Sequence, residues 1–93
     1  MITFEEYENA LKQRHGERIY NILSHSSVAI AGLGGLGSNI AMYLARAGVG
    51  HLHLVDFDKV DITNLNRQQY DIADLGTLKT DALTKNIKRF NPF

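Results

Sequence analysis

Val28-Ala29-Ile30-Ala31-Gly32-Leu33-Gly34-Gly35-Leu36-Gly37-Ser38 is a short apolar run that breaks into a cluster of glycines. The first four residues read as a β-strand buried on both faces, the pattern of a parallel sheet. Gly32, Gly34 and Gly37 then form G-x-G-x-x-G, the turn from a strand into a helix. In that motif the first glycine makes the tight turn, the second lets a phosphate approach the backbone, and the third lets helix and strand pack closely. The helix that follows offers free N–H groups and a partial positive charge at its N-terminus. A Walker A loop is disfavoured, because no lysine follows Gly37-Ser38.

On the C-terminal side the helix spans about 36–47, with Ile40, Tyr43, Leu44 and Ala47 on its apolar face. Gly48 and Gly50 stop it. His51-Leu52-His53-Leu54-Val55 is a second strand ending at Asp56, which lies 19 residues beyond Gly37. That is close to the spacing of about 20 at which a carboxylate reaches the ribose of a nucleotide. Cap of a turn is the alternative role for Asp56. Asp58 either orients the following loop or is solvated. The two histidines alternate with leucines and mark a partly exposed strand face.

Residues 57–77 show no clean period and read as a long functional loop with one helical turn. Within it, Thr63-Asn64-Leu65-Asn66-Arg67-Gln68-Gln69 places an arginine and several amides beyond the ribose carboxylate. An arginine there can grip phosphate oxygens in a fork. Leu78, Ala82, Leu83, Ile87 and Phe90 mark a last helix, and Asn91-Pro92 ends it. Composition alone reads Lys79, at its start, as a surface lysine.

On the N-terminal side, Thr3-Phe4-Glu5-Glu6 fits a capping box, with Phe4, Tyr7 and Leu11 at helical spacing behind it. Gly16 breaks this helix, and a second one presents Ile19, Ile22 and Leu23 on one face. The organisation is one domain over 1–93: two helices in 1–26 and a nucleotide-binding βαβ core in 27–93.

Composition narrows the function. The 93 residues carry 10 basic and 10 acidic side chains, so nothing marks a nucleic-acid or membrane surface. There is no cysteine, which removes disulfides and a thiolate nucleophile from this stretch. The acidic N-terminus is no signal peptide, and the cytoplasm is the expected location.

Taken together, these pieces resemble the ThiF/MoeB family, related to the adenylation domain of ubiquitin-activating enzymes. The resemblance runs from about Ser27 to Phe93. It rests on Gly32-Leu33-Gly34-Gly35-Leu36-Gly37-Ser38, Ala47-Gly48-Val49-Gly50, Val55-Asp56-Phe57-Asp58, Asn64-Leu65-Asn66-Arg67-Gln68, Gly76-Thr77-Leu78-Lys79 and Asn91-Pro92. Arg14-His15-Gly16-Glu17-Arg18 and Asn21-Ile22-Leu23 point to the shorter members tied to thiamine biosynthesis. The resemblance implies an α/β, Rossmann-like βαβ fold with parallel strands, here stopping before a third strand.

It also implies an activity: ATP joins AMP to the C-terminal Gly-Gly carboxylate of a ubiquitin-like sulfur-carrier protein. By the same resemblance the nucleotide lies over Gly32, Gly34, Gly35 and Gly37. Asp56 holds the ribose, Asn64 and Arg67 contact the phosphates, Lys79 neutralises charge on them, and Asp58 and Gln68 also line the nucleotide site. Arg67 and Lys79 carry the catalytic electrostatics, and Lys79 thereby changes from surface residue to ligand. Mg²⁺ assists, with its ligand expected outside these residues. The family is homodimeric, and an arginine of its N-terminal helices often reaches the partner's nucleotide. Arg14 and Arg18 are the candidates, with a solvated surface role as the other reading.

Two other readings stay open. The nucleotide half of an NAD-dependent oxidoreductase shares the glycine loop and Asp56, but needs no phosphate-gripping Arg67. A non-catalytic interaction module would complete its site with a partner. Two strands with few helices cannot cover both faces of a parallel sheet, so a marginal monomer or a self-pairing dimer is expected, inactive alone.

Overall fold

The computed structural model describes all residues from 1 to 93. Four α-helices and two strands follow one another as α1 (Phe4–His15), α2 (Glu17–Ser24), β1 (Ser27–Ala31), α3 (Gly35–Ala47), β2 (His51–Val55) and α4 (Lys79–Lys88). Two short 3₁₀ turns, Ile62–Asn64 and Ile72–Asp74, punctuate the long connection before α4, where the sequence pattern indicates one turn.

β1 and β2 pair in parallel, in register from Ser27 opposite His51 to Ala31 opposite Val55. Alternation then decides what each face meets. Val28, Ile30, Leu52 and Leu54 point to one side and pack into the core with Leu33, Ala41, Val60, Tyr70, Ala82 and Leu83. Ala29, Ala31, His51, His53 and Val55 point to the other side and are exposed. The expectation that β1 is buried on both faces is therefore corrected. α3 and α4 cover one face only, and Ile30 is the single buried residue of the strand. The exposed face carries the two histidines, as the alternating pattern requires, with their Nε2 atoms 3.1 Å apart.

The inward face of α3 is corrected in part: Leu44 packs against the core as expected. Ser38, Ala41, Met42 and Ala45 are buried, whereas Ile40 and Tyr43 look out. Small side chains won over large ones because α3 starts against the glycine loop and must lie close to β1. A Cβ built at Gly37 would overlap the Gly32 carbonyl and touch Ile30. In α2 the inward residue is Tyr20, 6% exposed, while Ile19 and Ile22 face outward.

The capping box at Thr3 is formed in both directions, at 3.1 Å each way. α1 has no buried residue. It is held by Phe93, whose ring lies 5.3 Å from Phe4 and 5.5 Å from Tyr7, by Tyr20, whose hydroxyl donates to Glu8, and by His15, which meets the carbonyl of Ala47. No helix is long and apolar enough to cross a membrane.

The 57–77 segment is folded back on itself. Val60 N–H donates to Thr77 and Gly76 N–H donates to Val60, so the two ends of the segment are joined. Lys79 N–H then donates to the Asp58 carbonyl at 2.9 Å, which fixes where α4 begins. Asp74 is fully buried and ties the segment to α4. Its carboxylate accepts from Lys85 at 2.6 Å, from Asn86 at 2.8 Å and from the Asp71 N–H at 2.9 Å.

Candidate functional site

The site forms where the carboxyl ends of β1 and β2 meet the N-terminus of α3, the place where open α/β sheets bind ligands. Gly32 turns the chain at φ 90°, a value that favours glycine, and its N–H still donates to Val55 at 2.8 Å. The chain then enters α3 with no side-chain cap. The first helical hydrogen bond comes from Ser38 N–H to the Gly34 carbonyl. The N–H groups of Gly34, Gly35, Leu36 and Gly37 consequently have no backbone acceptor, as helix starts require. They form a set of convergent donors for an anion.

Asp56 closes the base of this loop. One carboxylate oxygen accepts the Leu33 N–H at 2.7 Å, and the other accepts the Asp58 N–H, also at 2.7 Å. The turn-capping role is thus present. Each oxygen retains a lone pair that can accept a ribose hydroxyl. Burial pushes the Asp56 carboxyl up. The backbone N–H groups of Leu33, Asp58 and Phe57 and the charge of Lys79 outweigh it and hold the group below the usual aspartate range. Asp58 contributes through its backbone, and its side chain is exposed and unbonded.

Arg67 lies across the loop from the other side. Its Cδ and Nε come within 3.5 Å of the position a Cβ would take on Gly35. Its Nη1 donates to the Thr63 carbonyl at 3.1 Å and to Asn66 at 3.0 Å, within its own loop. Nε and Nη2 have no protein acceptor, so those donors remain for a ligand. Gln68 is 8% exposed, and its amide nitrogen lies 3.8 Å from the Cβ position of Gly34. The Gln68 side-chain oxygen is buried without a partner. Lys79 is only 6% exposed, not the surface residue that composition suggests, and its charge is felt by Asp56.

Asn64 is already in use: its side-chain oxygen accepts the Asp61 N–H at 2.8 Å and caps the first 3₁₀ turn. Only its amide nitrogen is available to a phosphate.

Sequence reading passed over several residues that build this site. Tyr70, 7% exposed, donates its hydroxyl to the Leu33 carbonyl at 2.7 Å, holding the glycine loop from below. Burial, then the charges of Asp56 and Asp74, push the Tyr70 hydroxyl well above its usual range, so it remains a donor. Asn39 donates to the carbonyls of Gly35, at 2.5 Å, and Arg67, at 2.9 Å, and Gln69 donates to Asn39 at 2.6 Å. The signal available was the dense run of amides from Asn64 to Gln69. A separate cavity of about 320 Å³ lies between β2 and the end of α4 around Leu52, Leu54 and Ile87. The site described here is an open cleft.

The chain is similar to known proteins. The tRNA threonylcarbamoyladenosine dehydratase of Bacillus subtilis is 45% identical over 78 residues, covering 83% of this chain and 31% of that protein. The adenylyltransferase and sulfurtransferase UBA4 of Eremothecium gossypii is 44% identical over 72 residues, covering 76% of this chain and 16% of that protein. Among solved structures, the E. coli tRNA N6-threonylcarbamoyladenosine dehydratase TcdA in complex with ATP superposes with a TM-score of 0.87 at 29% identity. The match covers 99% of this chain and 39% of that one. The chain therefore spans well under half the length of these relatives. The sequence model of the ThiF family matches residues 7–93, and the chain belongs to the ThiF family.

Proposed function

We propose that this chain is the ATP-binding part of an adenylyltransferase that activates a carboxylate as an acyl-adenylate. The observation that carries the reading is Arg67 lying over Gly35, which sets a guanidinium against the unpaired N–H groups at the start of α3. Phosphate oxygens bound between them would meet donors from both sides. Lys79 adds a buried positive charge beside Asp56, and Asp56 serves the ribose. A carboxylate oxygen of the acceptor bonds to the α-phosphorus while the bond to the β-phosphate oxygen breaks, and pyrophosphate leaves. What these residues supply is fixed donors where that charge is spread.

The carboxylates present do not build a magnesium site of their own. Each oxygen of Asp56 accepts a backbone N–H, and Asp58 stands alone and exposed. Mg²⁺ enters this reading only as the counter-ion of ATP.

The acceptor proposed first is the C-terminal Gly-Gly tail of a ubiquitin-like sulfur-carrier protein, in thiamine or related cofactor synthesis, in the cytoplasm and with a homodimer as the assembly. Arg14 and Arg18 are exposed on the N-terminal helices, as reaching a partner's nucleotide requires. A second reading is favoured by the relatives named as tRNA dehydratases: the acceptor carboxylate belongs to a threonylcarbamoyl group on tRNA. The balanced charge of residues 1–93 then assigns them to ATP and not to the tRNA.

The test is the thermal melt of the chain alone, with Mg-ATP, and with NAD. A ligand that binds only the folded state raises the melting temperature. The expected result is a shift with ATP that Arg67→Ala sharply reduces, and none with NAD. A shift with NAD alone, or with neither, overturns the reading.

A further inference from the structure

We infer that Asn39, backed by Gln69, is a positioning residue that sets Arg67 against the glycine loop; the inference rests on the ATP-binding reading above. Asn39 is on α3, one turn in, and its side-chain nitrogen has two hydrogens. One goes to the Gly35 carbonyl at 2.5 Å and the other to the Arg67 carbonyl at 2.9 Å. One amide thus holds both the floor of the cleft and the residue that roofs it.

Gln69 fixes which way that amide faces. Its Nε2 donates to the Asn39 oxygen at 2.6 Å, so the Asn39 nitrogen must point at the two carbonyls. Gln69 is itself placed by its backbone N–H, which donates to Ser38 Oγ at 3.2 Å. Ser38 is fully buried on α3, so the chain of bonds ends on a rigid support.

The bond to Asn39 is the only hydrogen bond joining Arg67 to α3. The other bonds of Arg67, from its N–H to the Asn64 carbonyl and from Nη1 to Thr63 and Asn66, stay inside its own loop. Without Asn39 the loop keeps its internal shape and the bond from Gln69 N–H to Ser38, but no hydrogen bond then sets Arg67 itself against α3. A side chain that only stabilised the fold would have no reason to act through Arg67.

A double-mutant cycle separates these roles. Calorimetric titration with Mg-ATP is run on the wild-type chain, Asn39→Ala, Arg67→Ala and the double variant, each first shown folded by circular dichroism. Asn39→Ala is expected to weaken ATP binding about tenfold, the size of one charge-assisted hydrogen bond. In the Arg67→Ala background the same change should have no further effect. Equal losses in both backgrounds, or full affinity in Asn39→Ala, overturn the inference. Where the alanine chain does not fold, Asn39→Asp serves the same cycle. It keeps the size and the acceptor for Gln69 but turns an oxygen on the two carbonyls, and full affinity there also overturns the inference. A wild-type chain that does not bind ATP refutes the ATP-binding reading itself, before any variant is compared.

Discussion

Replacing Asp74 by alanine tests whether the 57–77 segment is secured where the structure shows it. The carboxylate is fully buried and accepts from Lys85, Asn86 and the Asp71 N–H. In Asp74→Ala the Lys85 ammonium loses little, because its side chain is 58% exposed and regains water. Asn86 keeps its bond to the Gln69 carbonyl at 3.0 Å but loses one donor's partner, and the Asp71 N–H is left without any. Two hydrogen bonds to a charged acceptor, at about 1.5–3 kcal/mol each and partly recovered by water, give a loss of about 3 kcal/mol. Chains of this size hold about 5–14 kcal/mol in all. The melting temperature should fall by about 12–24 °C, at roughly 4–8 °C per kcal/mol. Urea unfolding followed by circular dichroism measures the loss, with Lys85→Ala as the comparison, expected to cost less because the carboxylate keeps Asn86 and the Asp71 N–H. A loss below about 1 kcal/mol in Asp74→Ala would refute the reasoning, since a buried carboxylate with these partners must cost more to delete.

Gly37→Ala should destabilise the chain by about 3 kcal/mol and remove ATP binding, because the new methyl overlaps the Gly32 carbonyl. That carbonyl has little room to swing aside while Gly32 N–H is bonded to Val55. A melt within about 2 °C of wild type would show the loop to be softer than described. Acid should unfold the chain in a defined window. Burial raises the carboxyls of Asp56 and Asp74, but their hydrogen bonds, with Lys79 and Lys85, prevail and hold both below the usual range. Depressed groups contribute stability above the unfolded value, about pH 4, and lose it as pH falls through their folded values. Stability from these two groups should therefore hold at neutral pH and decline below about pH 4, more shallowly in Asp74→Ala. A pH titration of the urea midpoint checks this, and equal slopes for the two chains would exclude Asp74 as a source.

The fold was legible where a pattern is local. Glycine spacing, the positions of two short strands and the Thr3 capping box each depend on residues a few positions apart, and each formed where read, although β1 is buried on one face only. The inward faces of α2 and α3 were not legible. Hydrophobicity alone favours Ile40 and Tyr43, but close approach to the strand favours Ser38, Ala41 and Ala45, and only the packed geometry decides. The same limit hid Tyr70, Asn39 and Gln69. Their roles depend on partners about 30 residues or more away in sequence, and a tyrosine or an amide in a loop has no period to betray it. Lys79 shows the converse: composition put it on the surface, and the resemblance, not the pattern, put it in the site.

α1 rides on the rest of the chain without a buried side chain of its own. Its attachments include two ring contacts with Phe93, the Tyr20 hydroxyl, the His15 bond to Ala47 and Leu11 packed beside Gly48. Segments with few buried contacts open locally at low free-energy cost, well below that of global unfolding. The amide protons of α1 are therefore expected to exchange with solvent through a small, separate opening. The N-terminal arm is a clasp on the C-terminal end of α3, the opposite end of that helix from the glycine loop.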